Sequence, residues 1–559
     1  MAPPATLVEA LARLPRGTAR GFRFIAADGS ERYFPYEQLE AEARRRAALL
    51  ASLGISKDER IALVIPEGHE FVLTFLAAVM AGAVPVPIFP RASFKAANDY
   101  VDSIVHIARA SGAALLLCAE SNEALLQPAR AQIASLRSLH SVERVFAPEL
   151  SAISFSPPTL TPDDLCFLQF TSGSTSQPKG VQVSHRNLIA NACAFLGPNG
   201  LNRNDADIGV SWLPLYHDMG LIGFILGPLI VDIPVVILPT ATFARGPRVW
   251  LETLSKYRGT ITYAPNFAYA LALKRLKAKD VESLDLSALR VAGCGAEPIH
   301  AETLRAFAKA LAPAGFRAEA LLPSYGMAES TLAITFHALG TPMQVDRVDS
   351  DALTRGEAVP SDAADASELV SCGVPFPEHA LQIVDAAGTP LPERQVGEIW
   401  ARGESVASGY FQNTEASAES FGPDGWLRTG DLGYLAQGNV YICGRKKDLI
   451  ILRGANYHPQ DIEWLLGELP GVRRGNVVAF SVPVQGEERL ILAVECASSD
   501  AADVCARVTA RVNESLGLAP HEVAAVTIGS LPKTSSGKIQ RAKTRGLYLA
   551  QALDRHVSP

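Results

Sequence analysis

Residues 171–180 read Thr-Ser-Gly-Ser-Thr-Ser-Gln-Pro-Lys-Gly, directly after the apolar run Leu165-Cys166-Phe167-Leu168-Gln169-Phe170. A run of hydroxyl and glycine residues after a strand offers backbone N–H and O–H donors that can wrap a polyphosphate, and Lys179 adds a positive charge at its end. The order excludes a Walker loop, in which Gly-Lys is followed by Ser or Thr; here Lys179 precedes Gly180. The same composition also describes an ordinary connecting loop, so the segment needs partners elsewhere in the chain.

Several other stretches are unusually polar for their apolar surroundings. Ser211-Trp-Leu-Pro-Leu-Tyr-His-Asp-Met-Gly220 places His217 and Asp218 inside a hydrophobic run. A lone histidine there is more often a core residue, and the adjacent Asp and Gly favour a pocket wall. Gly293-Cys-Gly-Ala-Glu-Pro298 follows a strand-like Leu289-Arg-Val-Ala292, and its small residues let backbone approach a flat ligand. Ser324-Tyr-Gly-Met-Ala-Glu-Ser330 follows Leu321-Leu322; an aromatic, a glycine and a carboxylate suit a base, a close approach and a metal. Either could equally be a tight turn. Trp426-Leu-Arg-Thr-Gly-Asp431 ends in a carboxylate able to accept from a ribose diol, or to make an Asx-type turn, and Arg445 lies within reach of phosphate chemistry. Leu531-Pro-Lys-Thr-Ser-Ser-Gly-Lys538 sets a lysine in a Gly/Ser environment. Gly-x-Ser-x-Gly, His-Glu-x-x-His and Gly-x-Gly-x-x-Gly are missing.

The elements that must position these residues alternate. Strand-like Arg60–Ile65, Ala114–Cys118 and Val235–Leu238 are interleaved with helical patterns such as Tyr36–Leu53 and Ala301–Leu311, which predicts α/β layering. Beyond the charged patch Gly444-Arg-Lys-Lys-Asp448, a smaller α+β unit is expected. Its helix begins at Pro459, its strands run Val477–Val482, Leu490–Cys496 and Val523–Ile528, and its helix Ala501–Leu516 is capped by Ser499 or Asp500 and closed by Gly517. Residues 341–370 carry seven acids and two arginines and read as a surface excursion.

With 559 residues, 48% hydrophobic and 19% charged, the chain has room for two to four domains around a large core. A net charge of −7 without a basic block argues against nucleic acid as a partner. The eight cysteines form no Cys-x-x-Cys pair and read as buried thiols in a reducing compartment. No signal peptide is apparent, and the apolar stretches Phe71–Pro90 and Leu221–Leu238 are broken by Gly and Pro, as expected of a buried helix running into a buried strand rather than a membrane span. A cytoplasmic protein is expected.

In order and type, these motifs resemble the adenylate-forming (AMP-binding) superfamily from about residue 20 to 545, and within it fatty acyl-AMP ligases most of all. The features carrying that likeness are Trp212-Leu-Pro-Leu-Tyr-His-Asp-Met-Gly-Leu-Ile-Gly223, Arg445-Lys-Lys-Asp-Leu-Ile-Ile451 leading to Asn456-Tyr-His-Pro-Gln-Asp-Ile-Glu463, and the 341–370 excursion. The resemblance implies an N-terminal domain (1–444) of two layered α/β subdomains plus a β-barrel-like subdomain, a hinge at 445–448 containing Lys447, and a small mobile α+β C-terminal domain (449–559). It implies that Thr171, Ser172, Gly173, Ser174, Thr175 and Lys179 hold ATP phosphates. Gly295, Ala296 and Glu297 would frame adenine with Ser324, Tyr325, Gly326, Met327 and Ala328. Glu329 and Thr171 would hold Mg²⁺, Asp431 the ribose, Arg445 the ribose or a phosphate, and Lys538 would be catalytic. An acyl pocket is expected around Trp212, His217, Met219, Ile222 and Phe267, with plain core packing an equally good reading of each. The implied reaction activates a fatty acid with ATP and passes the acyl group to the phosphopantetheine arm of an acyl carrier protein. The alternative is transfer to CoA, with 341–370 as the ligase-specific insertion that separates the two.

Overall fold

The computed structural model describes residues 2–90, 97–150, 155–171, 178–452, 455–467, 469–473, 475–485, 487–534 and 537–556, with the side chains of 97–99 not included. Ser172, Gly173, Ser174 and Thr175 therefore lie outside the described residues. The α/β expectation holds in two sheets. In the first, Val84–Pro87, Arg60–Val64, Leu115–Cys118 and Ser138–Ser141 pair in parallel. Apart from Arg60 at the start of the first, the inner strands are apolar and buried because both faces are covered. The second sheet has nine strands with a parallel centre, in which Gly209–Ser211, Ile261–Ala264, Val291–Cys294 and Leu321–Gly326 are consecutive neighbours.

The two apolar stretches resolve as expected. Gly68–Met80 is a buried helix leading to the buried strand Val84–Pro87. The second passes through a π-helical turn, Ile222–Leu226, to Val235–Ile237. Among the described residues no helix is long and apolar enough to cross a membrane.

The third unit is an antiparallel meander, Ala380–Val384, Gly397–Arg402, Leu427–Ala436 and Asn439–Arg445. The 341–370 excursion folds onto it. Val345–Val348 pairs with Ser367–Val370, and Asp349 caps the short helix Ser350–Thr354 by accepting from Ala352 N–H. Val348, Leu353 and Ala358 share a small core with Tyr434, Tyr441 and Cys443, and the two tyrosine rings stack at 5.0 Å. Asp346 accepts from Tyr434 Oη at 2.7 Å and from Arg394 Nη1 at 3.0 Å, so the acidic composition is partly spent on internal bonds.

Beyond Asp448 the chain builds separate cores. Val477–Val484 and Glu487–Glu495 pair antiparallel, Glu522–Val526 joins in parallel, and helices Pro459–Gly467, Ala501–Leu516 and Arg541–Leu549 pack on them. Gly517 closes its helix at φ +61, as expected. The expected side-chain cap is not made: Asp500 is the N-cap residue without a capping bond, because Ser499 Oγ donates to its carboxylate instead.

The central strands leave no room for side chains where they meet the site. A Cβ on Gly293 would fall 2.1 Å from the Tyr263 ring on the neighbouring strand. Gly293→Val should therefore lower stability by about 1–3 kcal/mol through overpacking, read as a lower urea midpoint with unchanged slope.

Candidate active site

Val291–Cys294 and Leu321–Gly326 are parallel neighbours in register Cys294↔Pro323, so the segments that leave their carboxyl ends emerge side by side. Ligands of open α/β sheets bind at such ends. Gly295, Ala296 and Glu297 leave the first strand. Gly295 has to be glycine here, since a Cβ would lie 2.8 Å from Ser324 Oγ. Ala296 adopts φ +68, a strained conformation for a residue with a side chain. Glu297 Oε1 accepts from Phe267 N–H at 2.6 Å, and burial holds its carboxyl above the usual range. Ser324, Tyr325 and Gly326 are still on the second strand rather than in a turn beyond it, and Met327 and Ala328 follow.

Tyr325 reaches across to the meander, where its hydroxyl donates to Asp431 Oδ2 at 2.7 Å. Asp431 lies on a strand and not in an Asx turn; it faces Arg445 across the pair, and Arg445 Nε meets Asp431 Oδ1 at 3.1 Å. Arg445 thus orients the carboxylate, whose remaining lone pairs are available to a diol.

The antiparallel pair Leu165–Thr171/Lys179–Ser184 sets Thr171 opposite Lys179. Lys179 Nζ lies 5.0 Å from the centre of the Tyr410 ring, and Tyr410 Oη donates to Glu329 Oε1 at 2.7 Å. Glu329 is buried, desolvation raises its carboxyl above the ordinary value, and no ion pair relieves it among the described residues. Thr331, two residues on, is fully buried at φ +65, ψ −63, with Leu332 N–H bonded to Ser330 O at 2.7 Å. This tight, strained turn returns the chain to Ala333–Phe336 and leaves Glu329 facing Tyr410.

Lys538 lines the same cleft, of about 3050 Å³, together with His217, Asp218, Glu297, Glu329, Asp431 and Arg445. Desolvation lowers its ammonium pKa, while Asp218, Glu297 and Asp431 oppose that shift. His217 is pulled to about 4 by desolvation and is therefore neutral at pH 7, with the Asp218 charge opposing the shift and Lys538 reinforcing it. Among the described residues no cluster of three or more His, Cys, Asp or Glu could hold a metal on its own. One buried carboxylate and one hydroxyl fit a Mg²⁺ carried mainly by phosphates and water.

A second, apolar cavity of about 70 Å³ shares a wall with Gly295, Ala296 and Ser324–Gly326. Met219, Gly223, Phe224, Ile233 and Leu332 line it. The structure sends the residues expected around an acyl pocket to different places. Met219 is in the cavity, and His217 and Phe267 line the main cleft, but Trp212 and Ile222 belong to the core. Trp212 stacks on Phe243 at 3.6 Å, and Ile222 is fully buried at the start of the π-helical turn that presents Gly223. Lys447 is exposed, 3.8 Å from Glu419.

The sequence reading missed Tyr410, the partner of Glu329, and left Asp218 out of the site. Gly409, at φ +143 just before Tyr410, was the available signal for the first; the second stood beside His217.

The description "AMP-binding enzyme" fits the family model that matches residues 12–411. The chain belongs to that family. It is 38% identical over 524 residues to a putative acyl-CoA synthetase of Caulobacter vibrioides, covering 92% of this chain and 90% of that one. It is 34% identical over 544 residues to the medium-chain-fatty-acid–[acyl-carrier-protein] ligase JamA of Moorena producens, covering 93% and 90%. A solved structure from work on fatty acyl-adenylate ligases of E. coli and L. pneumophila has a TM-score of 0.92 and 36% identity, covering 98% of both chains. The resemblance to fatty acyl-AMP ligases within the AMP-binding family is borne out, as is the mixed α/β architecture.

Tyr410→Phe removes the donor that holds down the Glu329 pKa. Glu329 is protonated more readily folded than unfolded, so its burial costs stability as pH rises from about 4.5 through the raised folded value, and losing Tyr410 Oη widens that window. The variant should lose about 1–3 kcal/mol at pH 8 and much less at pH 4.5, measured by denaturant titration at both pH values.

Proposed function

We propose that this protein activates a fatty acid with ATP and passes the acyl group to the phosphopantetheine thiol of an acyl carrier protein. The observation that carries the first step is the entry of Lys538 into a cleft that also holds Asp431 and Glu329. A carboxylate attacking an anionic α-phosphate faces a barrier that is largely electrostatic, so positioned cations serve it rather than a covalent protein intermediate. Asp431, steadied by Tyr325 and Arg445, receives the ribose hydroxyls, and the 295–297 and 324–328 segments flank adenine. Lys179 and the loop from Thr171 hold the β- and γ-phosphates. Glu329 and Thr171 would hold a Mg²⁺, which would supply charge neutralisation. Lys538 lies between the acyl carboxylate and the α-phosphate as the new O–P bond forms and the bond to pyrophosphate breaks. The acyl chain extends into the cavity lined by Met219 and Gly223. In the second step the thiol sulfur attacks the acyl carbonyl, its proton leaves to solvent, and AMP departs.

A carrier-bound thiol is preferred over CoA because the 341–370 excursion bridges the hinge. Its core is shared with the strand ending at Arg445, and its Ser350–Thr354 helix lies beside Ala455–Tyr457 on the far side. An element attached to both sides restrains the movement that would open the site to a free thiol and leaves that opening to a docked carrier protein. The relative named as an acyl carrier protein ligase supports this reading, and the relative named as a putative acyl-CoA synthetase supports its rival. The deciding experiment supplies fatty acids of graded length, ATP and Mg²⁺ with equimolar CoA and holo carrier protein, and follows pyrophosphate and both thioesters. Acyl-carrier product is expected; predominant acyl-CoA overturns the acceptor assignment, and no pyrophosphate with any acid overturns the activation step.

Lys538→Ala should slow acyl-AMP formation by about 10²–10³-fold with ATP affinity retained, checked by single-turnover pyrophosphate release and calorimetry. A Cβ at Gly223 would meet only Leu332 Cδ2, at 3.6 Å, so Gly223→Leu should be tolerated and fill the cavity. The expected result is a shift in kcat/KM towards shorter acids with the melting midpoint little changed.

A further inference from the structure

The loop that carries Lys538 is fastened to a helix that touches the nucleotide-framing segment directly. Arg541, three residues after Lys538, binds Glu463 Oε1 through Nε at 2.8 Å and Asp448 Oδ2 through Nη1 at 3.1 Å. One guanidinium thereby ties the Lys538 loop to the 445–448 segment and to the helix Pro459–Gly467. The next residue on that helix, Trp464, sets its ring 4.9 Å from the ring of His300 at an angle of 50°. His300 is itself oriented: Nδ1 bonds with Thr303 Oγ1 at 2.9 Å, and its backbone N–H donates to Asn266 Oδ1 at 3.1 Å. It ends the same 295–300 stretch whose Glu297 anchors Phe267 N–H. On the other side of Lys538, a Cβ on Gly537 would lie 3.5 Å from the Phe267 ring.

We propose that the Trp464–His300 contact positions Lys538 for adenylation, and that it breaks when the thiol is admitted. The assignment rests on the activation reading above. Neither ring lies on the loop that bears Lys538; they act through the Arg541 tie, which fixes the distance from Trp464 to the Lys538 loop. An aromatic contact of this kind is strong enough to bias the docked arrangement yet weak enough to be undone each turnover.

The test uses the full chain with Trp464→Ala, His300→Ala, the double variant and Trp464→Phe. The first readout is independent of catalysis: the rate of tryptic cleavage at the exposed Lys446 and Lys447. It should rise about 3- to 10-fold in each alanine variant, no further in the double variant, and return towards wild type with Phe, at an unchanged melting midpoint. The second compares single-turnover acyl-AMP formation with transfer from supplied acyl-adenylate to holo carrier protein. Formation should fall by a similar factor while transfer is unchanged or faster. Unchanged cleavage, additive effects of the two alanine variants, or equal losses in both half-reactions overturn the proposal. Raised cleavage in a protein whose wild type forms no adenylate leaves the contact standing and removes the activation reading instead.

Discussion

The charge of Lys538 is the quantity on which the rest depends. An ammonium taken into a half-enclosed cleft loses hydration and tends to give up its proton. Here that tendency is opposed by Asp218, Glu297 and Asp431, carboxylates contributed by three different segments. No one element could gather those charges. The parallel sheet delivers Glu297, the turn before the π-helix delivers Asp218, and the antiparallel meander delivers Asp431. The site is therefore a property of how three layers meet, and the residue they serve arrives from a fourth.

The same logic explains why the carboxylates stay distinct in role. Asp431 is neutralised in place by Arg445 and bonded by Tyr325, so it is fixed and polar. Glu329 accepts from the Tyr410 hydroxyl and is buried with no ion pair among the described residues, so it is set to gain from an added cation. Asp218, first residue of the short helix Asp218–Leu221, accepts from Met219 N–H at 2.7 Å and is felt by Lys538 and His217. Three acids in one cleft are separated by what each is bonded to.

Much of this was legible in the sequence wherever the backbone itself constrains residue type. Gly293, Gly295 and Gly326 stand where a Cβ would strike a ring, a hydroxyl or a carbonyl, so the small-residue motifs marked where neighbouring segments approach most closely. Lys538, Asp431 and Glu329 were legible as polar residues in unexpected settings. Among apolar residues the choice between pocket and core stayed open. Trp212 and Ile222 have the same character as Met219, and only the packing of Phe243 and the π-helical turn sends them to opposite sides. Of the pairings distant in sequence, Tyr410 with Glu329 left only the glycine before Tyr410 as a local trace, and Trp464 with His300 left none. The 341–370 excursion was visible as a change in composition, but its private core with Tyr434 and Tyr441 was not.

Under the proposed function, Lys538 reaches the reacting atoms from a separate unit. A crystal structure of the full chain with a non-hydrolysable acyl-adenylate tests that most directly. The expected result is Lys538 Nζ within hydrogen-bonding distance of the acyl carbonyl or α-phosphate oxygens, with the acyl chain in the cavity beside Gly223. Lys538 turned to solvent while another cation occupies that position would contradict it.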